Sequence, residues 1–189
     1  MVFGGFHGDE PKSAFVATRL IELLSKSPAA GGDSWIIVPI VNPDGYERRK
    51  RRNARGVDIN RNFPTHNWAP GSPRRRMYGG PWPASEPETR TVIRLIERWR
   101  PDRIVTVHSI GRDRFCNNYD GPARALAAKM SRHNGYPVTA TIGYPTPGSF
   151  GTWAGAERRI PVITLELRST DSPKRCWADN REALLCLAK

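Results

Sequence analysis

The sequence predicts an α/β fold in a single domain over residues 1–189, and three observations carry that prediction. Short apolar runs at residues 35–41, 104–107 and 161–167 are rich in branched side chains and bounded by turn formers, the pattern of buried strands. Between and around them, residues 14–24, 89–99, 122–133 and 179–187 repeat apolar positions at helical spacing. Pro11 and Pro87 stand where a first helical turn tolerates proline. A length of 189 residues suits one core of ordinary size. Strands alternating with helices build a sheet whose ligands gather beyond the carboxyl ends of the strands, so polar residues directly after an apolar run become the candidates for chemistry.

Composition narrows the classes. An apolar share of 38%, spread along the chain, argues against a disordered protein. No run approaches the roughly 18 to 20 apolar residues that cross a bilayer, and no basic-then-apolar leader opens the sequence, so no membrane association and a cytoplasmic address are expected. Cys116, Cys176 and Cys186 lack CxxC spacing, which fits reduced thiols, so a metal would have to be held by His and carboxylate. The formal charge of +12 comes mostly from Arg, clustered at 48–52 and 74–76. A solvated basic face, nucleic-acid binding and attraction of an anionic peptide all agree with that charge. Residues 68–87 are rich in Pro and Gly and form a candidate cleft wall.

Two apolar runs end in histidine. One passes from Val2 through glycines into His7-Gly8-Asp9-Glu10, and the other, from Ile104, ends in His108. A lone histidine is usually structural, but His7 and Glu10 on one turn could face one cation, with His108 as third ligand. Two histidines and a glutamate suit a catalytic zinc site, which keeps a fourth position open for water and a polarised carbonyl. Glu166 is flanked by apolar residues on its strand, an unfavourable place for a carboxylate unless a cation meets it. An ion pair with Arg168 is the competing account of that residue.

Further segments make the pattern specific: Asn42-Pro43-Asp44-Gly45, the run from Gly56 through Asp58-Ile59-Asn60-Arg61-Asn62 to Pro64, and Thr164-Leu165-Glu166-Leu167. With HGDE at 7–10 and His108-Ser109, their order and spacing resemble the zinc carboxypeptidase family from His7 to Glu166. That resemblance implies a mixed central sheet with helices on both faces and one Zn²⁺ held by His7, Glu10 and His108. It implies Asp58 as the carboxylate fixing the tautomer of His7. It also implies Glu166 as general base, passing a proton from the attacking water to the leaving amine. Arg51 would stabilise the developing oxyanion, with Arg52 as the alternative register. Asn60 and Arg61 would grip the free carboxylate of the substrate's terminal residue. Tyr144 would close over bound substrate, and Gly151 would lie at the base of the specificity pocket, leaving room instead of charge. His66 and His133 match nothing in the motif set.

Within the family, residues 143–153 and Ser85-Glu86-Pro87-Glu88-Thr89 resemble the branch acting on murein peptides. This implies a small peptide substrate, the murein tripeptide, cut between γ-D-glutamate and meso-diaminopimelate. Family members usually carry another strand or two before the first ligand, so the front of the sheet is expected to be shortened, exposing an apolar edge. The rivals are a general metallocarboxypeptidase, an acylamino-acid deacylase and a basic nucleic-acid-binding domain. The last should interleave aromatics with its Arg clusters, which contain almost none, so no nucleic-acid partner is expected.

Overall fold

The computed structural model describes residues 1–26, 34–111 and 114–188. Six strands, β1 (Val2–Phe3), β2 (Ile37–Val38), β3 (Ile104–Ile110), β4 (Cys116–Asp120), β5 (Val138–Thr139) and β6 (Val162–Arg168), form one sheet in the order β2-β1-β3-β6-β4-β5. All neighbours are parallel except β4 and β6, so the sheet is mixed. Its centre is the long β3–β6 ladder, which sets His108 directly beside Glu166. β1 is flanked on both sides, and β2 and β5 form the edges.

Helices lie on both faces. On one, α1 (Pro11–Lys26), α4 (Arg124–Asn134) and α5 (Pro173–Leu185) bury Val16, Leu20, Ala127, Met130 and Leu184 against Val105, Val107, Ile163, Leu165 and Leu167. On the other, α3 (Pro87–Trp99) and a wide helical turn of π type at Gly151–Glu157 bury Val92, Ile96 and Trp153 against Phe3, Ile104 and Val162. This second core is aromatic: Phe3, Phe6, Phe63 and Phe150 meet with ring centroids 5.3–6.2 Å apart. Edge and tilted contacts of this kind add to simple burial and hold the backbone beneath the site.

Helix starts follow local chemistry. Proline occupies the first turn of α1, α3, α5 and the short α2 (Pro43–Glu47), where its missing N–H costs nothing. Asn42 and Ser172 cap α2 and α5 by accepting from Gly45 N and Arg175 N. Two expectations shift. Of residues 35–41 only Ile37–Val38 pair, because β1 offers two residues before the chain turns through Gly4 and Gly5. The strand β4 was not expected at all.

Candidate active site

The HGDE turn is shaped by a close backbone approach. A Cβ at Gly8 would lie 1.9 Å from the carbonyl carbon of Gly45 and 2.4 Å from the oxygen of Lys50, so only glycine lets this turn press against the 42–50 segment. Glu10 N donates to His7 O, and Ser13 Oγ donates to Glu10 O while accepting from Gly5 N. His7 and Glu10 are thereby held at the start of α1, facing the end of β3.

There His7, Glu10 and His108 converge. His7 Nδ1 lies 2.8 Å from Glu10 Oε1, His108 Nδ1 lies 3.1 Å from Glu10 Oε2, and the two Nδ1 atoms are 3.3 Å apart. Donor atoms around a tetrahedral zinc at ordinary bond lengths are roughly 3.3 Å apart, so the set has the spacing of a zinc cradle. Two imidazole nitrogens facing each other across one carboxylate, all buried or nearly so, are better satisfied by a shared cation than by one another. The residues present fit the metal. Glu10 Oε2 also accepts from Ser109 N at 3.0 Å, and the His108 ring stacks on Phe6.

Asp58, fully buried, holds the outer side of this cradle. Its Oδ1 lies 3.1 Å from His7 Nε2 and accepts from Asn60 N, and its Oδ2 accepts from Arg51 Nε at 2.9 Å. With Nε2 of His7 directed at a carboxylate, Nδ1 is left to face the cradle. Burial works against charge here, yet His7 and Arg51 hold Asp58 well below the usual carboxylate range. Burial likewise opposes Glu10, which His7 and His108 hold low. For His7, burial is outweighed by Glu10 and Asp58 and its pKa rises; for His108, burial wins and its pKa falls.

Arg51 lines the cleft, with one Nη 3.6 Å from Glu10 Oε1, whereas Arg52 turns away to the carbonyls of Pro73 and Arg75. Glu166 projects from β6 beside His108 and is 6% exposed. Burial first, then the negative charge of Glu10, pushes its carboxyl up to about 8 in the metal-free protein. Strand alternation puts Arg168 on the same face as Glu166, but its guanidinium sits over the Phe115 ring at 3.8 Å and near Asp171. Among the described residues no ion pair joins Arg168 to Glu166.

Asn60 and Arg61 belong to a short 3₁₀ turn, Ile59–Arg61, capped by Asp58. Asn60 Oδ1 accepts from Phe150 N at 2.8 Å. Arg61 is buried, donates to Asn60 O and Met77 Sδ, and leaves its Nε without a partner. Tyr144 lines the same cleft, with the Arg114 guanidinium 5.8 Å from its ring centroid. The cleft encloses about 440 Å³, and Arg76 and Met77 of the Pro- and Gly-rich segment form part of its wall. His66 is an exposed partner of Glu157, and His133 is exposed on α4; neither lies at the cleft.

Gly151 also lines the cleft, and an acidic side chain that was not singled out from the sequence stands beside it. Asp120, at the end of β4, lies against Gly151, and the cross-strand partners Asn118 and Thr164 line the cleft with it. Sequence reasoning missed Asp120 because β4 reads Cys-Asn-Asn-Tyr-Asp, with polar residues at buried positions.

Comparison with known proteins agrees with this geometry. The zinc carboxypeptidase family matches residues 1–179. Murein peptide amidase A of Escherichia coli strain K12 is 34% identical over 177 residues, spanning 88% of this chain and 69% of that protein. The protein of the same name from Vibrio campbellii is 35% identical over 179 residues, with shares of 88% and 68%. The crystal structure of murein-tripeptide amidase MpaA from Escherichia coli O157 superposes with a TM-score of 0.80 at 30% identity, over 99% of this chain and 79% of that one. Carboxypeptidase A of Helicoverpa armigera, 21% identical, shares the fold with a TM-score of 0.79 over 98% of this chain and 59% of its own.

Proposed function

The chain belongs to the zinc carboxypeptidase family, and from that premise we propose that it hydrolyses the amide bond preceding a residue with a free carboxylate, with the γ-D-glutamyl–meso-diaminopimelate bond of murein tripeptide as substrate. The observation that carries the exopeptidase reading is Arg61. A guanidinium 4% exposed and walling the cleft feels the charge of Asp58, yet its Nε is unpartnered and no carboxylate hydrogen-bonds it among the described residues, which leaves it able to receive an anion. A terminal carboxylate supplies it, and the planar fork of Arg suits that group.

His7 Nδ1, the Glu10 carboxylate and His108 Nδ1 are the atoms that would hold zinc. When bound, zinc acidifies water and polarises the scissile carbonyl. Glu166 accepts a proton from the attacking water as the water oxygen bonds to the carbonyl carbon. It then returns the proton to the amine nitrogen as the C–N bond breaks, giving a carboxylic acid and a free amine. Arg51, anchored through Nε, keeps its Nη atoms for negative charge developing on the carbonyl oxygen. Asn60 shares the terminal carboxylate with Arg61, Tyr144 covers the bound peptide and Gly151 lies at the pocket base.

The murein tripeptide is favoured by likeness to the murein peptide amidases and by the cleft's cationic rim, where Arg76 and Arg114 meet an anionic peptide. No helix among the described residues is long and apolar enough to cross a membrane, and a cytoplasmic site of action accompanies the substrate assignment. The test is metal analysis of purified protein with hydrolysis of murein tripeptide against a hippuryl dipeptide. Near-stoichiometric zinc and clear preference for the tripeptide are expected. Preference for the hippuryl substrate would leave a general carboxypeptidase, and zinc-independent hydrolysis would overturn the reading.

A further inference from the structure

Arg51 and Arg61 each have a task in the chemistry above, whereas Arg76 only adds positive charge to the rim. Its backbone is nevertheless fixed on both sides. Arg52 donates to the carbonyls of Pro73 and Arg75, and the Tyr78 carbonyl accepts from Asp58 N at 2.8 Å, so the stretch carrying Arg76 is tied to the segment that supports the metal cradle. Met77 Sδ accepts from Arg61 Nη2 at 3.4 Å, which joins the same stretch to the cleft wall.

The side chain of Arg76 reaches the cleft mouth at Asp9. Its Nη2 lies 3.3 Å from Asp9 Oδ2, with side-chain exposures of 73% and 33%. Asp9 follows His7-Gly8 and precedes Glu10, one Cα step of about 3.8 Å from a metal ligand, and its charge is felt by Arg51. The guanidinium of Arg76 is thus held on the side of the cradle where Arg51 meets the scissile carbonyl. An ion pair this exposed is worth on the order of 1 kcal/mol or less, so a ligand carboxylate readily shares or displaces it. Nε and Nη1 of Arg76 have no partner among the described residues and are left to receive one.

A γ-linked glutamyl residue differs from an α-linked residue in what it carries beside the bond to be cut. Its α-carboxylate is free and is separated from the scissile carbonyl carbon by three carbons, on the order of 5 Å when extended. An α-linked peptide has only neutral amide groups in its main chain there. The leaving side already has Arg61 and Asn60 for a carboxylate, and on the carbonyl side the fork of Arg76 offers two parallel donors to a second one.

We infer that Arg76 is a specificity-determining residue that binds the free α-carboxylate of a γ-linked acyl residue, exchanging its ion pair with Asp9 for one with the substrate. The substrate class it selects has an anionic group on each side of the scissile amide, the terminal carboxylate on the leaving residue and the α-carboxylate on the acyl residue. The inference rests on the hydrolase reading above and deepens it, but is tested apart from it.

The test compares murein tripeptide with its analogue in which D-isoglutamine replaces γ-D-glutamate, so that a carboxamide stands in for the α-carboxylate at nearly equal shape. Zinc-loaded wild type, Arg76→Gln and Arg76→Lys are assayed on both peptides. Binding of both to zinc-loaded Glu166→Gln, with and without Arg76→Gln, is followed by calorimetry. A partly exposed charge-assisted hydrogen bond gives wild type about a threefold to thirtyfold preference for the carboxylate form in kcat/KM and in binding at low salt, smaller as salt screens the pair. Arg76→Gln should bring that ratio to within about twofold, chiefly through KM, and Arg76→Lys should restore part of it. Equal treatment of the two peptides by wild type, or an undiminished ratio in Arg76→Gln, overturns the assignment. Carboxylate-selective binding without hydrolysis of either peptide would uphold Arg76 and sink the hydrolase reading instead; equal hydrolysis of both would do the reverse.

Discussion

Replacing Glu166 by Gln removes a charge while nearly keeping its shape, and its surroundings make the result measurable in two ways. In the metal-free protein, burial and then the charge of Glu10 raise this carboxyl to about 8 from an ordinary 4.5. Between those values the folded chain holds a proton that the unfolded chain has released, so stability falls as pH rises through the window. One group loses at most about 1.4 kcal/mol per pH unit, so between pH 5 and 8 wild type should lose on the order of 4 kcal/mol relative to Glu166→Gln. His7 and Asp120 are present in both proteins, and the difference between them isolates Glu166. Urea denaturation of chelator-treated protein at pH 5, 6.5 and 8 reads this directly. A difference that stays flat across that range would refute the buried-acid account. With zinc restored, Glu166→Gln should keep metal content and KM while kcat falls by about 10²- to 10⁴-fold. Near-normal turnover would refute its role as base.

Other outcomes follow from neighbouring contacts. Asp58→Asn presents an amide N–H₂ to either His7 or Arg51, each of which needs an acceptor, and zinc affinity should drop about 10- to 100-fold in a chelator competition. Arg61→Ala should raise KM for peptides with a free terminal carboxylate far more than for amidated ones; equal losses would argue against carboxylate binding. Gly8→Ala, with its Cβ 1.9 Å from Gly45, should lower the melting temperature and impair zinc retention together, whereas an unperturbed melt would contradict the tight approach.

Much of this site was legible because its residues are chemically distinctive and stand in order along the chain. His7, Glu10, His108 and Glu166 could be singled out as polar groups at the ends of apolar runs or within them, and Asp58 only through the resemblance of its motif. What could not be read depends on contacts across the fold. In the basic run 48–52 nothing local separates Arg51 from Arg52; the separation comes from Asp58, which receives Arg51 Nε, and from the carbonyls of Pro73 and Arg75, which take Arg52. β4 was hidden because its buried asparagines look like loop residues. Asn117 is satisfied by Asn134 and by the Tyr136 carbonyl, partners supplied only once α4 and its following turn have packed. The wide turn at 151–157 was hidden by its two glycines, whose reason for being there is Asp120.

The central ladder places a further restriction on how this molecule can change. His108 and Glu166 are partners across β3 and β6, and neighbouring residues on each strand face alternately up and down. An insertion or deletion of one residue before either of them would turn one side chain into the opposite layer while its partner stayed in place. The backbone ladder could close again around such a change, yet the two groups would no longer look at the same space. Residues 104–107 and 162–165 can therefore vary in identity, but their lengths obey a parity rule that the segments around the cleft rim do not share.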